Sequence, residues 1–141
     1  MADFRDQGDD VVCMPQISVE NVAELAAMGY RSVICNRPDE EPGAVPSAQI
    51  AEAARQAGLA FAYQPALFSQ LGTHDGTAFV AAMESLPKPV AAYCRTGRRS
   101  AALWALGRAP ERGADAVLAA SKSAGCDLEE LRPRLAGASL A

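Results

Sequence analysis

Histidine is almost missing from this chain: His74 is the only one among 141 residues. The four cysteines, Cys13, Cys35, Cys94 and Cys126, are scattered, and none forms a CxxC or CxxxC pair. Both facts argue against a zinc site and against a disulfide framework, and no metal or other cofactor is expected. Aromatic residues are scarce at 6%, so the core must be built from alanine and aliphatic side chains. No run of about eighteen apolar residues occurs, so no membrane-spanning helix is expected. The opening Met1-Ala2-Asp3-Phe4-Arg5-Asp6 has neither a basic nor an apolar leader segment, which predicts a cytoplasmic protein. Positive charge is outnumbered, 13 Lys and Arg against 17 Asp and Glu for a net charge of -4. Nonspecific nucleic-acid binding needs the reverse, and no nucleic-acid or membrane partner is expected.

What is present suits one globular α/β domain over residues 1–141, with a core from about 10 to 135. Asp10 to Met14 reads as a first strand. Ser18 is an N-cap with Ile17 stapled to Val22, and Gly29 ends that helix. Tyr30 to Cys35 is a β-branched run closed by the turn Asn36-Arg37-Pro38-Asp39. A second helix runs from Ser47 to Gly58, a third strand from Leu59 to Gln64, and a third helix from about Asp75 to Leu86. The short strand Pro89 to Tyr93 delivers Cys94, after which helical character is expected over Ser100–Gly107, Glu111–Ala124 and Asp127–Leu135. This alternation predicts three layers: a mostly parallel sheet of four or five strands with helices on both faces. Ligands bind such sheets beyond the carboxyl ends of the strands, where both Cys94 and the 36–39 turn belong.

Cys94-Arg95-Thr96-Gly97-Arg98-Arg99-Ser100 carries the chemistry. A cysteine between a buried strand and a helix start meets inward backbone N–H groups and the positive end of the helix dipole, which favour a thiolate. Gly97 lets the backbone curl into an anion nest. Cys94 is the expected nucleophile and Arg99 the planar fork for an oxyanion. Arg95, Thr96, Gly97, Arg98 and Ser100 complete the cradle, and Asn36, Arg37 and Asp39 face it from the neighbouring strand end. Cys35 is a candidate resolving thiol.

The segments Ser32-Val33-Ile34-Cys35-Asn36-Arg37-Pro38-Asp39-Glu40 and Pro89 to Trp104 resemble a bacterial family labelled sulfur transferase or beta-lactamase-hydrolase-like, phosphatase-like domain. The resemblance covers about residues 10 to 135. It implies a fold like that of dual-specificity and phosphotyrosine protein phosphatases, with an active-site loop like that of rhodaneses. The chain departs from the family pattern in having Glu40 and Glu41 where a glycine commonly follows the aspartate, and Arg98 where a smaller residue is usual.

Two enzymatic readings share the thiolate. In the preferred one, Cys94 takes a sulfane sulfur from thiosulfate, a persulfide or a polysulfide, and passes it to a thiol acceptor. The alternative is a phosphatase working through phospho-cysteine, which also needs an acid for the leaving oxygen. Spacing favours sulfur: Cys94 to Arg99 is Cys-x4-Arg, like the rhodanese loop, whereas tyrosine phosphatases resemble Cys-x5-Arg. Asp39 and Asp75 are the candidate acids, Asp75 more readily explained as a helix cap. A non-catalytic thiol redox sensor is a further alternative, and a helix-turn-helix near residues 119–128 is disfavoured by the acidic balance.

Overall fold

The computed structural model describes residues 4–140. Its strands are β1 (Arg5–Asp6), β2 (Val11–Met14), β3 (Ser32–Cys35), β4 (Ala60–Tyr63) and β5 (Val90–Tyr93). They form one sheet in the order β1-β2-β5-β3-β4, parallel except for β1, which runs antiparallel to β2. The expected parallel α/β architecture is observed with five strands. β1 lacks any sequence signal because two residues are too few to show alternation.

β2, β3 and β5 are fully buried, and their side chains divide with period two between the faces. Val11, Cys13, Ile34, Val90 and Ala92 enter one cluster, and Val12, Met14, Val33, Cys35, Ala91 and Tyr93 the other. A strand covered on both sides has no solvent face, so its sequence reads as a continuous apolar run. The second cluster is closed by α1 (Val19–Ala27) and α2 (Ser47–Ala57) through Val22, Leu25, Ile50 and Ala54. Ser18 caps α1 as expected, accepting from the Asn21 N–H, while Asn21 Oδ1 accepts from the Ser18 N–H.

The first cluster is closed by α3 (Thr73–Ser85), α4 (Arg98–Arg112), α5 (Ala114–Ser123) and α6 (Arg132–Leu140). α4 is the central helix: Ala101 through Leu106 are all buried. The expected stop at Gly107 is corrected, since α4 runs through Gly107 and Pro110 to Arg112. Gly107 lies against Gly76 of α3, so this glycine serves a close helix crossing and not a terminus. Pro110 falls in the last turn, so the donor it removes interrupts the helical ladder only two residues before its end. The following helix therefore begins at Ala114, after Gly113 at φ +89°. A short 3-10 turn at Glu129–Leu131 precedes α6, displacing the expected start at Asp127.

The loop between β1 and β2 is locked to α4 through Asp9, which accepts from Trp104 Nε1 at 2.9 Å, Arg108 Nε at 2.7 Å and Arg112 Nη2 at 3.1 Å. Burial opposes ionisation of Asp9, but these donors prevail and hold its carboxyl below the ordinary value. No helix among the described residues is long and apolar enough to cross a membrane.

Candidate active site

The parallel ladder continues one residue past the strands and sets the site. The Cys94 N–H donates to Met14 O at 3.2 Å and the Asn36 N–H to Tyr93 O at 2.8 Å, while Gln64 N–H donates to Cys35 O at 2.8 Å. The ends of β2, β5, β3 and β4 are thereby level on one edge, and α4 starts directly above β5.

Between Cys94 and α4 the backbone turns at Gly97, which takes φ +92° and acts as the N-cap of α4. A Cβ there would meet Arg5 Nε and the Met14 carbonyl carbon at 3.2 Å, so both conformation and space demand glycine. The turn directs the Gly97 N–H onto Cys94 Sγ at 3.1 Å. The first-turn N–H groups of a helix have no intrahelical acceptor, so the start of α4 is suited to hold an anion beside the sulfur. Cys94 itself is buried, 1% exposed.

Arg99 bends over from the first turn of α4. Its Nη1 donates to Glu41 Oε2 at 2.7 Å and to Ala66 O at 2.8 Å, and its Nη2 donates to Glu41 Oε1 at 3.2 Å. Its Nε is buried and has no hydrogen-bond partner among the described residues. An oxyanion on the loop would satisfy that donor. Arg37, only 5% exposed, donates to Glu41 Oε1 at 3.1 Å, Gln16 Oε1 at 3.0 Å and Pro42 O at 2.6 Å. Arg37, Glu41, Pro42, Arg95 and Arg99 line a cavity of about 400 Å³.

Glu41 is thus shared by two arginines, and hydrogen bonds from Arg99 lead the effects that hold its carboxyl below the usual range, against the opposing effect of burial. A folded carboxyl that ionises more readily than the unfolded one contributes stability above the unfolded value, and loses it as pH falls through the folded one. We therefore expect wild type to lose thermal stability more steeply than Glu41→Gln as pH falls from about 5 toward about 2. Parallel melting curves for the two proteins would expose the assignment as wrong.

The other expected site residues lie as follows. Ser100 is buried and donates to Asn36 Oδ1 at 2.8 Å, not to the thiol, and Asn36 Nδ2 donates to Gln64 O at 2.9 Å. The side chains of Asn36 and Ser100 therefore brace the loop and are already bonded. Thr96 is exposed, its Oγ1 accepting from the Arg98 N–H at 3.3 Å. Arg98, expected in the cradle, is directed elsewhere: it donates to Asp127 O at 2.7 Å, pairs with Glu130 and lies over the Phe68 ring at 5.5 Å. Asp39 is engaged as the cap of α2, accepting from Ser47 N at 2.7 Å and Ser47 Oγ at 2.8 Å. Asp75 Oδ2 accepts from the Gly72 N–H at 2.9 Å and closes the start of α3.

Cys35 projects into the cluster under α1 and α2, donates to Arg37 O at 3.3 Å, and is pushed up in pKa by burial. Burial likewise pushes up Cys13 and Cys126, and all four cysteines are free thiols. Among the described residues no cluster of three or more His, Cys, Asp or Glu is placed to hold a metal. Glu41 and Gln16 were missed as site residues. Gln16 follows β2 at the same carboxyl edge and was open to the same argument; Glu41 becomes visible only once the 36–46 turn is folded.

Comparison with known proteins converges on this fold. The profile of the family described as beta-lactamase hydrolase-like protein, phosphatase-like domain, matches residues 3–111. A beta-lactamase hydrolase-like protein of Agrobacterium fabrum is 35% identical over 95 residues, 67% of this chain and 22% of that protein. The chain thus spans about a fifth of the length of the curated relatives it matches. The crystal structure of a candidate phosphatase from Neisseria meningitidis Z2491 superposes with a TM-score of 0.86 at 35% identity, covering 98% of this chain and 99% of that one. Tk-PTP in its active form superposes with a TM-score of 0.68 at 16% identity, over 94% of this chain and 98% of that one, a likeness of fold.

Proposed function

The chain belongs to the beta-lactamase hydrolase-like protein, phosphatase-like domain family, and from that premise we propose that it is a cysteine-dependent phosphatase acting through a phospho-cysteine intermediate. The observation that carries the reading is the Gly97 N–H on Cys94 Sγ, with the unpaired Arg99 Nε in the first turn of the helix that follows, in a fold shared with phosphatase structures.

The Cys94 thiolate attacks phosphorus of a phosphate monoester. The S–P bond forms as the P–O bond to the leaving group breaks, and that oxygen departs with the bonding electron pair. The equatorial oxygens lie against the loop N–H groups and Arg99, where fixed donors stabilise charge without reorganising. Water then attacks phosphorus, phosphate is released and the thiolate is restored. Asp39 and Asp75 both accept hydrogen bonds as helix caps and Glu41 is held between Arg37 and Arg99. With these three engaged, the reading favours a weakly basic leaving oxygen, as in an aryl phosphate, or one that takes its proton from water.

That engagement of the carboxylates favours one second reading, sulfur transfer. Attack of the thiolate on the outer sulfur of thiosulfate breaks the S–S bond and expels sulfite with the electron pair. The resulting Cys94 persulfide gives its outer sulfur to an acceptor thiolate, and neither step needs an acid. Assaying p-nitrophenyl phosphate hydrolysis and thiosulfate-to-thiol transfer on one preparation separates the two. Aryl phosphate turnover that exceeds sulfur transfer supports the phosphatase; transfer with no hydrolysis replaces it with the sulfurtransferase.

A further inference from the structure

Arg95 follows the nucleophile directly, yet it does none of what its neighbours do. Its carbonyl accepts the Gln16 N–H at 3.2 Å, which pins the residue to the end of β2. Its side chain is exposed and makes no hydrogen bond or ion pair with any described residue. The neighbouring Arg98 is spent on Asp127 and Glu130, and Arg108 and Arg112 on Asp9. Arg95 thus keeps its full donor capacity at the mouth of the loop.

The surroundings give that free cation a purpose. The cavity it lines also presents Arg37 and Arg99, and its one carboxylate, Glu41, is already bonded to both. Three guanidinium groups and one carboxylate leave a local excess of two positive charges in a chain whose net charge is -4. A field of that sign, opposite to the rest of the molecule, attracts anions to this edge. The unpaired Arg99 Nε accounts for the reacting anion. About 400 Å³ is more room than a phosphate alone fills and is the size of a small-molecule site.

We propose that Arg95 determines specificity by receiving a second anionic group of the substrate. The preferred substrates are then phosphomonoesters that also bear a carboxylate or another phosphate, held at one end by the Cys94 loop and at the other by the Arg95 fork. This inference rests on the phosphatase reading. A guanidinium matches either acid through two parallel N–H bonds, which an ammonium group does not reproduce.

The test uses probes that are identical at the reacting end: N-acetyl-phosphotyrosine with its free carboxylate and the corresponding carboxamide. For wild type, the acid is expected to show a KM about 5- to 10-fold below that of the amide with similar kcat, worth roughly 1 kcal/mol. The ratio should shrink as salt rises from about 0.05 to 0.5 M, because exposed charges are screened. Arg95→Gln should bring the ratio to about one, and Arg95→Lys should keep part of it. Equal KM values for acid and amide in wild type, or an unchanged ratio in Arg95→Gln, overturn the role of Arg95 while leaving the phosphatase intact. Hydrolysis of neither probe, nor of p-nitrophenyl phosphate, overturns the phosphatase reading and this inference with it.

Discussion

Cys94→Ser is expected to reduce turnover of p-nitrophenyl phosphate by more than about 10³-fold, at unchanged fold. The sulfur sits where β5 ends and the Gly97 N–H points at it, so replacing Sγ by Oγ keeps the place and removes the reactive atom. A serine hydroxyl needs a base to attack at neutral pH. His74 is exposed in the first turn of α3, and the cavity it lines reaches Asn36 and Ala66 but does not include Cys94. What remains is anion binding by the loop and Arg99, so phosphate should still bind to the variant. Steady-state kinetics, with acid-quenched protein digested to locate a phosphoryl group on Cys94, check the claim. Retention of a tenth or more of the activity by the serine variant would remove Cys94 from the chemistry.

The loop is legible in sequence because its parts act locally: a buried strand, a cysteine at its end, a glycine for the positive φ and an arginine in the first turn of the helix that follows. What the sequence hides is direction. Arg98 and Arg99 are adjacent in α4, about 100° apart around the axis, and that rotation sends Arg99 to Glu41 and Arg98 to Glu130. Nothing short of the placement of the 36–46 turn and the 127–131 segment distinguishes them. Asp39 shows the same limit, since a turn carboxylate becomes a cap only when the start of α2 arrives beside it. Cys35 is different. Alternation along β3 places it on the face away from α4, with Val33, and that was readable from the pattern alone.

Gly107→Ala tests the crossing that fixes α4, and with it the loop. Helix propensity taken alone makes alanine better than glycine inside a helix by about 1 kcal/mol. Packing gives the opposite sign. A Cβ on Gly107 would run into Gly76 O and Val80 Cγ2 and stand 2.8 Å from the Gly76 carbonyl carbon. From the other side, a Cβ on Gly76 would lie 2.7 Å from Leu106 Cβ. Backbone on both sides cannot step aside as a side chain can, so the helices must part. Overpacking of this kind costs roughly 3 kcal/mol, enough to override propensity. The expected result is a melting temperature lower by about 10 °C. Because α4 carries Arg99 in its first turn and its buried run Ala101–Leu106 fills one face of the sheet, a displaced α4 should also weaken the hold of Arg99 on Glu41 and Ala66. A rise in KM for aryl phosphate would accompany the lost stability. A Gly107→Ala protein that melts higher than wild type would mean that α3 and α4 do not meet at these glycines.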